Sequence, residues 1–120
     1  MDDLENENIA RKWLDAFNRH DLRSILKLYD ENAQHYSPKL KIRKPETNGL
    51  ISGKIALNEW WKDAFIRIPS LEYREKNLVI SKDAVFIEYD RIASGEEDMK
   101  IGEVLEIKKG LIVFSRVYHG

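Results

Sequence analysis

The chain has 120 residues, 42% hydrophobic and 34% charged, with 20 basic and 21 acidic side chains interspersed to a net charge of −1. That length sustains one hydrophobic core, so residues 1–120 are expected to form a single domain, and the composition excludes a disordered chain. Balanced charge argues against nucleic acid, and the absence of cysteine excludes a disulfide scaffold and thiolate chemistry. The acidic opening "MDDLENEN", with no apolar run of membrane length, points to a cytoplasmic protein without a membrane partner.

Ile9, Trp13 and Phe17 recur every four residues, with Ala10 and Leu14 on the same flank, which predicts a helix from about Leu4 to Arg19. His20 falls in or just past its last turn, where a cation suits the helix dipole. Asp21 can cap a second helix whose apolar stripe is Leu22, Ile25, Leu26 and Tyr29. "NAQHYSP" then reads as a short strand stopped by Pro38. "KLKIRKPETNGLI" reads as a loop, longer than loops usually are without a purpose, and its basic cluster Lys39 to Lys44 as a solvated part of it. Leu57, Trp60, Trp61, Ala64, Phe65 and Ile68 mark a third helix, begun at Ser52 or Gly53 and ended by Pro69.

The second half reads as strands: Leu71–Ile80, Val85–Ala93, Met99–Ile107 and Leu111–Tyr118. Short polar turns separate them, so an antiparallel meander is expected, with Gly110 at the left-handed position of a three-residue hairpin loop. Helices first and a meander second make an α+β domain. The helices cover one sheet face. Phe86, Ile92, Ile112, Phe114 and Tyr118 alternate onto the other, and a second apolar face on a small domain predicts a homodimer through it.

Strand parity also singles out an acid. Glu103 shares its face with Ile101 and Leu105, and a carboxylate there is expensive unless it is paired or faces a wet cavity. Arg91 shares a face with Val85, Ile87 and Tyr89. Folding the hairpins about "SGEED" and "KKG" sets Arg91 nearly opposite Glu103 and Ser115 beside it, with Val117 and His119 further along. A buried Glu103–Arg91 pair closing the core and a polar site within a pocket are both consistent with that pattern.

Three stretches, "FNRHDLRSILKLYDENAQHYSP", "GLISGKIALNEWWKDAFIRIP" and "KGLIVFSRVYHG", together with the element order, resemble the SnoaL-like group of the nuclear transport factor 2-like superfamily. The resemblance implies a cone-shaped α+β barrel, in which three N-terminal helices pack on a curved antiparallel sheet around a pocket, with pairing through the outer sheet face. Ketosteroid isomerase and limonene-epoxide hydrolase are enzymes of this group. In the isomerase an aspartate precedes the strand-ending proline as general base; that place here is Ser37. The isomerase's oxyanion-hole tyrosine falls at Trp13, its supporting tyrosine at Trp61, and its neutral acid at Glu103. Steroid-type isomerisation is therefore disfavoured, because an indole N–H donates a hydrogen bond but does no acid–base work. The hydrolase's Asp-Arg-Asp set finds only Glu103 and Arg91 here.

The same alignment turns His35 and Ser37 inward and Gln34 and Tyr36 outward. The expected pocket holds Trp13, Phe17, His35, Ser37, Trp61, Phe65, Tyr89, Arg91, Glu103, Ser115 and His119, with Trp60 at its edge. His35 and Glu103 are the catalytic candidates. His35 is the nearest titratable group to the missing base, with Ser37 related to it through water; a structural His35 bonded to a carbonyl is the alternative. A metal trio of His35, His119 and Glu103 lacks local ligand spacing, so neither metal nor cofactor is expected. Two function classes stay open: a SnoaL-like pocket for an apolar small molecule with isomerase-, cyclase- or hydrolase-like acid–base chemistry, and a non-enzymatic dimeric binding or interaction module.

Overall fold

The computed structural model describes residues 3–120. Helix α1 runs Asp3–Asn18, α2 Leu22–Lys27, strand β1 Tyr29–Tyr36, α3 Pro38–Arg43, β2 Leu50–Ser52, α4 Lys54–Arg67, β3 Glu72–Ile80, β4 Ala84–Ile92, β5 Met99–Lys108 and β6 Leu111–His119. The strands form one curved, unclosed six-stranded sheet in the order β2-β1-β6-β5-β4-β3. All neighbours are antiparallel except β1 and β6, which run parallel, so the sheet is mixed and not wholly antiparallel. Helices α1 and α4 pack on its concave face. No helix among the described residues is long and apolar enough to cross a membrane.

The N-terminal helix ends in a Schellman motif. His20 takes a left-handed conformation (φ 53°), its N–H bonds the Phe17 carbonyl, and the Asp21 N–H bonds the Ala16 carbonyl. The sequence predicted a dipole-capping role for His20, but its ring is engaged elsewhere. It stacks on Phe65 with centroids 4.3 Å apart and donates from Nε2 to the Leu71 carbonyl at 2.8 Å, tying α1 to α4 and β3. Asp21 does cap α2, accepting from the Ser24 N–H at 3.2 Å. Tyr29, however, is not in that helix: it opens β1, because the chain turns out of α2 at Leu28.

The presumed long loop contains structure of its own. Ser37 caps α3 with Pro38 in its first turn, a 3₁₀ turn covers Pro45–Thr47, and β2 returns to pair with β1. Among the described residues the α-helices therefore number four, not three. A helix of only six residues carries too short an apolar period to be read from sequence; Leu40 is its one buried side chain. Gly49 makes the return possible. It has φ 87°, and a Cβ there would lie 2.7 Å from the Tyr36 ring.

Two irregularities interrupt the pairing of β6 with its neighbours. The register of β1 against β6 slips between Tyr29 and Gln34, while Tyr29, Ala33 and His35 keep one parity and are all buried. The register of β5 against β6 slips by one after Glu106, so Ile112 pairs with Ile107 and turns into the core, contrary to its expected place on the outer face. The hairpin between them is a two-residue turn, Lys109 and Gly110 both at positive φ, and not a three-residue loop. On the outer face, Phe86 and Tyr118 remain 39% and 49% exposed, with Ile92 and Phe114 half-buried beside them.

The β4–β5 register places Arg91 opposite Met99 and Ile87 opposite Glu103. Arg91 therefore lies at the far end of the hairpin from Glu103 and pairs with Glu96 of the connecting turn at 3.1 Å. On β6, Val117 lies directly opposite Glu103, and Ser115 lies opposite Leu105. The expected Arg91–Glu103 and Ser115–Glu103 neighbours are thus corrected, because six residues span the β4–β5 turn before pairing resumes.

Candidate functional site

A cavity of about 290 Å³ lies between α3, α4 and the concave face of the sheet. Phe17, His35, Ser37, Trp60, Trp61, Phe65, Tyr89, Arg91, Glu103 and His119 all reach its wall. Trp13 and Ser115 do not. Both are fully buried one layer behind it, where they support wall residues. Phe17 bridges helix and sheet: its ring lies edge-on to Trp61 at 5.3 Å and stacked on Tyr73 at 5.3 Å. An aromatic, mostly apolar wall with a few polar groups is the usual make-up of a small-molecule site.

The first polar group is Glu103. It is 2% exposed and accepts one hydrogen bond, from the Tyr89 hydroxyl at 2.8 Å. Tyr73 in turn packs against Tyr89, its ring 4.3 Å away. No cation among the described residues reaches the carboxyl. Burial therefore pushes Glu103 up to about 8, against the weaker opposing pull of Tyr89, and it holds its proton at neutral pH. Burial and the nearby Glu103 push both tyrosines upward as well, so they remain neutral hydroxyls.

The second polar group is His35, which stands at the end of a hydrogen-bonded chain. Trp13 Nε1–H donates to the Tyr29 hydroxyl at 3.1 Å, Tyr29 donates to Ser115 Oγ at 2.9 Å, and Ser115 Oγ lies 2.6 Å from His35 Nδ1. An indole N–H only donates, so direction propagates along the chain: Tyr29 accepts and donates, and Ser115 accepts and donates to Nδ1. The opposite tautomer, with Nδ1–H turned to Ser115, would leave a buried hydroxyl proton of Tyr29 or Ser115 without an acceptor. Nδ1 is thus the acceptor and Nε2 carries the proton. Nε2–H bonds no side chain among the described residues and is the donor that His35, a lining residue, has left for the cavity. Burial drives His35 down to about 3, with contact to Ser115 opposing only weakly. A ring so hard to protonate is a poor general base.

Ser37 reaches the wall, but its hydroxyl is committed to capping α3, accepting from the Lys39 N–H at 3.2 Å. His119 sits at the open end of the cavity, opposite Ile101 on the inner face. Burial, with Lys39 and Arg91 adding repulsion, lowers its pKa below the ordinary value, so it is a neutral imidazole in partial contact with water. Cations gather at this end: Lys39, Arg43, Arg67 and Arg91 line it, with Glu96. Arg43 and Arg67 share Asp63, at 3.8 and 2.7 Å.

Several wall residues escaped the sequence reading. Tyr73 carried a signal, since it alternates with Leu71 on the buried face of β3. Lys39 carried a misleading one, because a basic run after a proline reads as solvated loop; the cap at Ser37 turns it instead toward the cavity. Tyr29, assigned to a helix, could not be seen as the link between Trp13 and Ser115.

A curved mixed sheet folded over helices around a lateral cavity is the architecture of the nuclear transport factor 2-like proteins, and solved structures bear out this class. A SnoaL-like protein of unknown function from Burkholderia thailandensis superimposes with a TM-score of 0.87 at 26% identity, covering 98% of this chain and 95% of that one. A proposed ketosteroid isomerase from Kribbella flavida gives 0.80 at 16% identity, covering 98% and 78%, and a proposed polyketide cyclase from Sinorhizobium meliloti gives 0.80 at 13%, covering 98% and 100%. The family model for the SnoaL-like domain matches residues 10–115, and the chain belongs to that family. No curated protein matches it.

Proposed function

We propose that the cavity binds an apolar small molecule bearing a carbonyl group and promotes enolisation at that carbonyl, a chemistry shared by isomerases and cyclases. The observation that carries this reading is Glu103: a buried carboxylic acid on the cavity wall, without a cation, held protonated at neutral pH by burial. Such a group donates to an oxygen on which negative charge develops. His35 Nε2–H is a second neutral donor on the same wall. The base is His119, the one wall histidine that is both neutral and wet. Glu103 and His119 are diagonal neighbours across β5 and β6, roughly 7–8 Å apart, which leaves room for a substrate between them. In the step, the C–H bond next to the carbonyl breaks and its proton goes to His119. Its electron pair forms the carbon–carbon double bond, and the carbonyl oxygen takes the Glu103 proton.

The bicyclic ketone 2-tetralone tests this. Exchange of its α-protons in D₂O, followed by NMR, is expected to exceed the buffer rate. Glu103→Gln and His119→Gln should each slow it by about 100-fold or more, the usual weight of one acid or base. Exchange no faster than buffer would defeat the catalytic reading and favour the non-enzymatic module.

The outer sheet face supports a homodimer. Phe86, Tyr118 and Val79 stay 39%, 49% and 56% exposed on a face that no helix covers. Phe86 lies across Gly102, where a Cβ would stand 2.9 Å from its ring, so the glycine keeps that surface flat. Sedimentation velocity at micromolar concentration should show a dimer; a monomer would end the proposal.

A further inference from the structure

The enolisation reading leaves the cationic end of the cavity unexplained. Arg91 is 7% exposed and uses one nitrogen, Nη1, on Glu96, whose own side chain is 46% exposed. Its Nε and Nη2 bond no side chain among the described residues, and Arg91 lines the cavity. A buried guanidinium with donors to spare presents a fork suited to a planar two-oxygen acceptor. Lys39 is half-buried on the same wall and has no ion pair among the described residues. Burial, then the charges of Arg91 and Arg67, disfavour its own charge, and Glu96 offsets them only in part. Arg43 and Arg67, by contrast, are served by Asp63. Two incompletely neutralised cations thus converge at one end of an apolar cavity, and the neutral donors Glu103 and His35 stand further along the wall.

We infer that the ligand is an amphipathic carboxylate: its carboxylate docks on Arg91 and Lys39 at the cavity mouth, and its apolar body lies against Trp60, Trp61 and Phe65. This deepens the function proposed above and rests on the same cavity, but not on catalysis. The volume bounds the body. A cavity of about 150 Å³ accommodates benzene, so the 290 Å³ here suits roughly two fused rings. A carboxylate at the mouth also fixes orientation, because only one end of such a molecule carries charge.

The probes are 2-naphthylacetate and its methyl ester, which share an apolar body and differ in charge. Binding is read from quenching of tryptophan fluorescence and from the NMR titration of His119. The acid is expected to bind at least about tenfold more tightly than the ester and to lose that preference in high salt. It should also raise the pKa of His119, since its charge offsets that of Lys39 and Arg91. Lys39→Met should weaken acid binding far more than ester binding and so remove most of the preference. Arg91→Gln should do the same, and Lys39→Met, at a half-exposed position, keeps the test decisive if the buried variant does not fold. Equal binding of acid and ester would overturn the inference and leave the apolar cavity standing. Binding of neither would overturn both. Tight acid binding without ketone exchange would retain the carboxylate site and defeat only the catalytic reading.

Discussion

Glu103 on β5 and His35 on β1 are two strands apart on one concave face, with β6 between them. Both are nearly dry, both line the same cavity, and each has a single hydroxyl partner. Burial disfavours the charged form of each, which for an acid means holding a proton and for an imidazole means refusing one. The two groups therefore reach neutrality from opposite sides and present the cavity with donors instead of charges. Their partners differ in a way that matters. Tyr89 donates to Glu103 and leaves its acidic proton free for the cavity. Ser115 donates to His35 and thereby sends the remaining ring proton into the cavity.

The widest separation between the two lies in how stability responds to pH. For Glu103 the folded value, about 8, lies above the ordinary 4.5, so the native state binds the proton more tightly. Its contribution is complete below 4.5 and is lost as pH rises through 8. Glu103→Gln keeps an acceptor for Tyr89 and removes that loss. At pH 9 the variant is expected to be more stable than the wild type by on the order of a few kcal/mol, and close to it at pH 4. Denaturant melts across the range measure this, and parallel profiles would contradict a neutral Glu103.

For His35 the folded value, about 3, lies below the ordinary 6.5, so the unfolded state takes up protons first. Its contribution is complete above 6.5 and is lost as pH falls towards 3. His35→Gln should lose less stability than the wild type over that acid range. The difference should be smaller than for Glu103, because Nε2 opens on the cavity and water there offsets part of the dehydration.

Tyr29→Phe removes the link between Trp13 and Ser115. It strands the buried indole N–H and should cost about 1–3 kcal/mol. It should also erase the bias toward the Nε2–H tautomer of His35, readable from its ¹⁵N shifts, without moving Glu103. An unchanged tautomer would show that Ser115 alone sets it. The smallest effect is expected on the other side of the sheet. Gly102→Ala forces the Phe86 ring outward, changes monomer stability by under about 1 kcal/mol, and should weaken self-association measured by sedimentation.

Much of this protein was legible in its sequence, and the reason is periodicity. The four-residue recurrence of Ile9, Trp13 and Phe17 and the run Leu57 to Ile68 locate the long helices. Strict alternation through Met99–Ile107 puts Glu103 inward whatever its partners, because a strand's pleat fixes the face of each side chain. Inward His35 came from the family resemblance, and the fold places it so, 3% exposed. Register and bulges are not local properties. The β4–β5 register put Arg91 opposite Met99 and away from Glu103, and the β5–β6 slip turned Ile112 inward. The short α3 brought Lys39 to the cavity through a cap that only the folded chain completes. Above all, the protonation states belong to the tertiary structure. Glutamate and histidine ordinarily carry or lose charge near their own pKa values, and here burial and the direction of two hydroxyl protons, supplied by residues 14 and 80 positions away in the chain, decide otherwise.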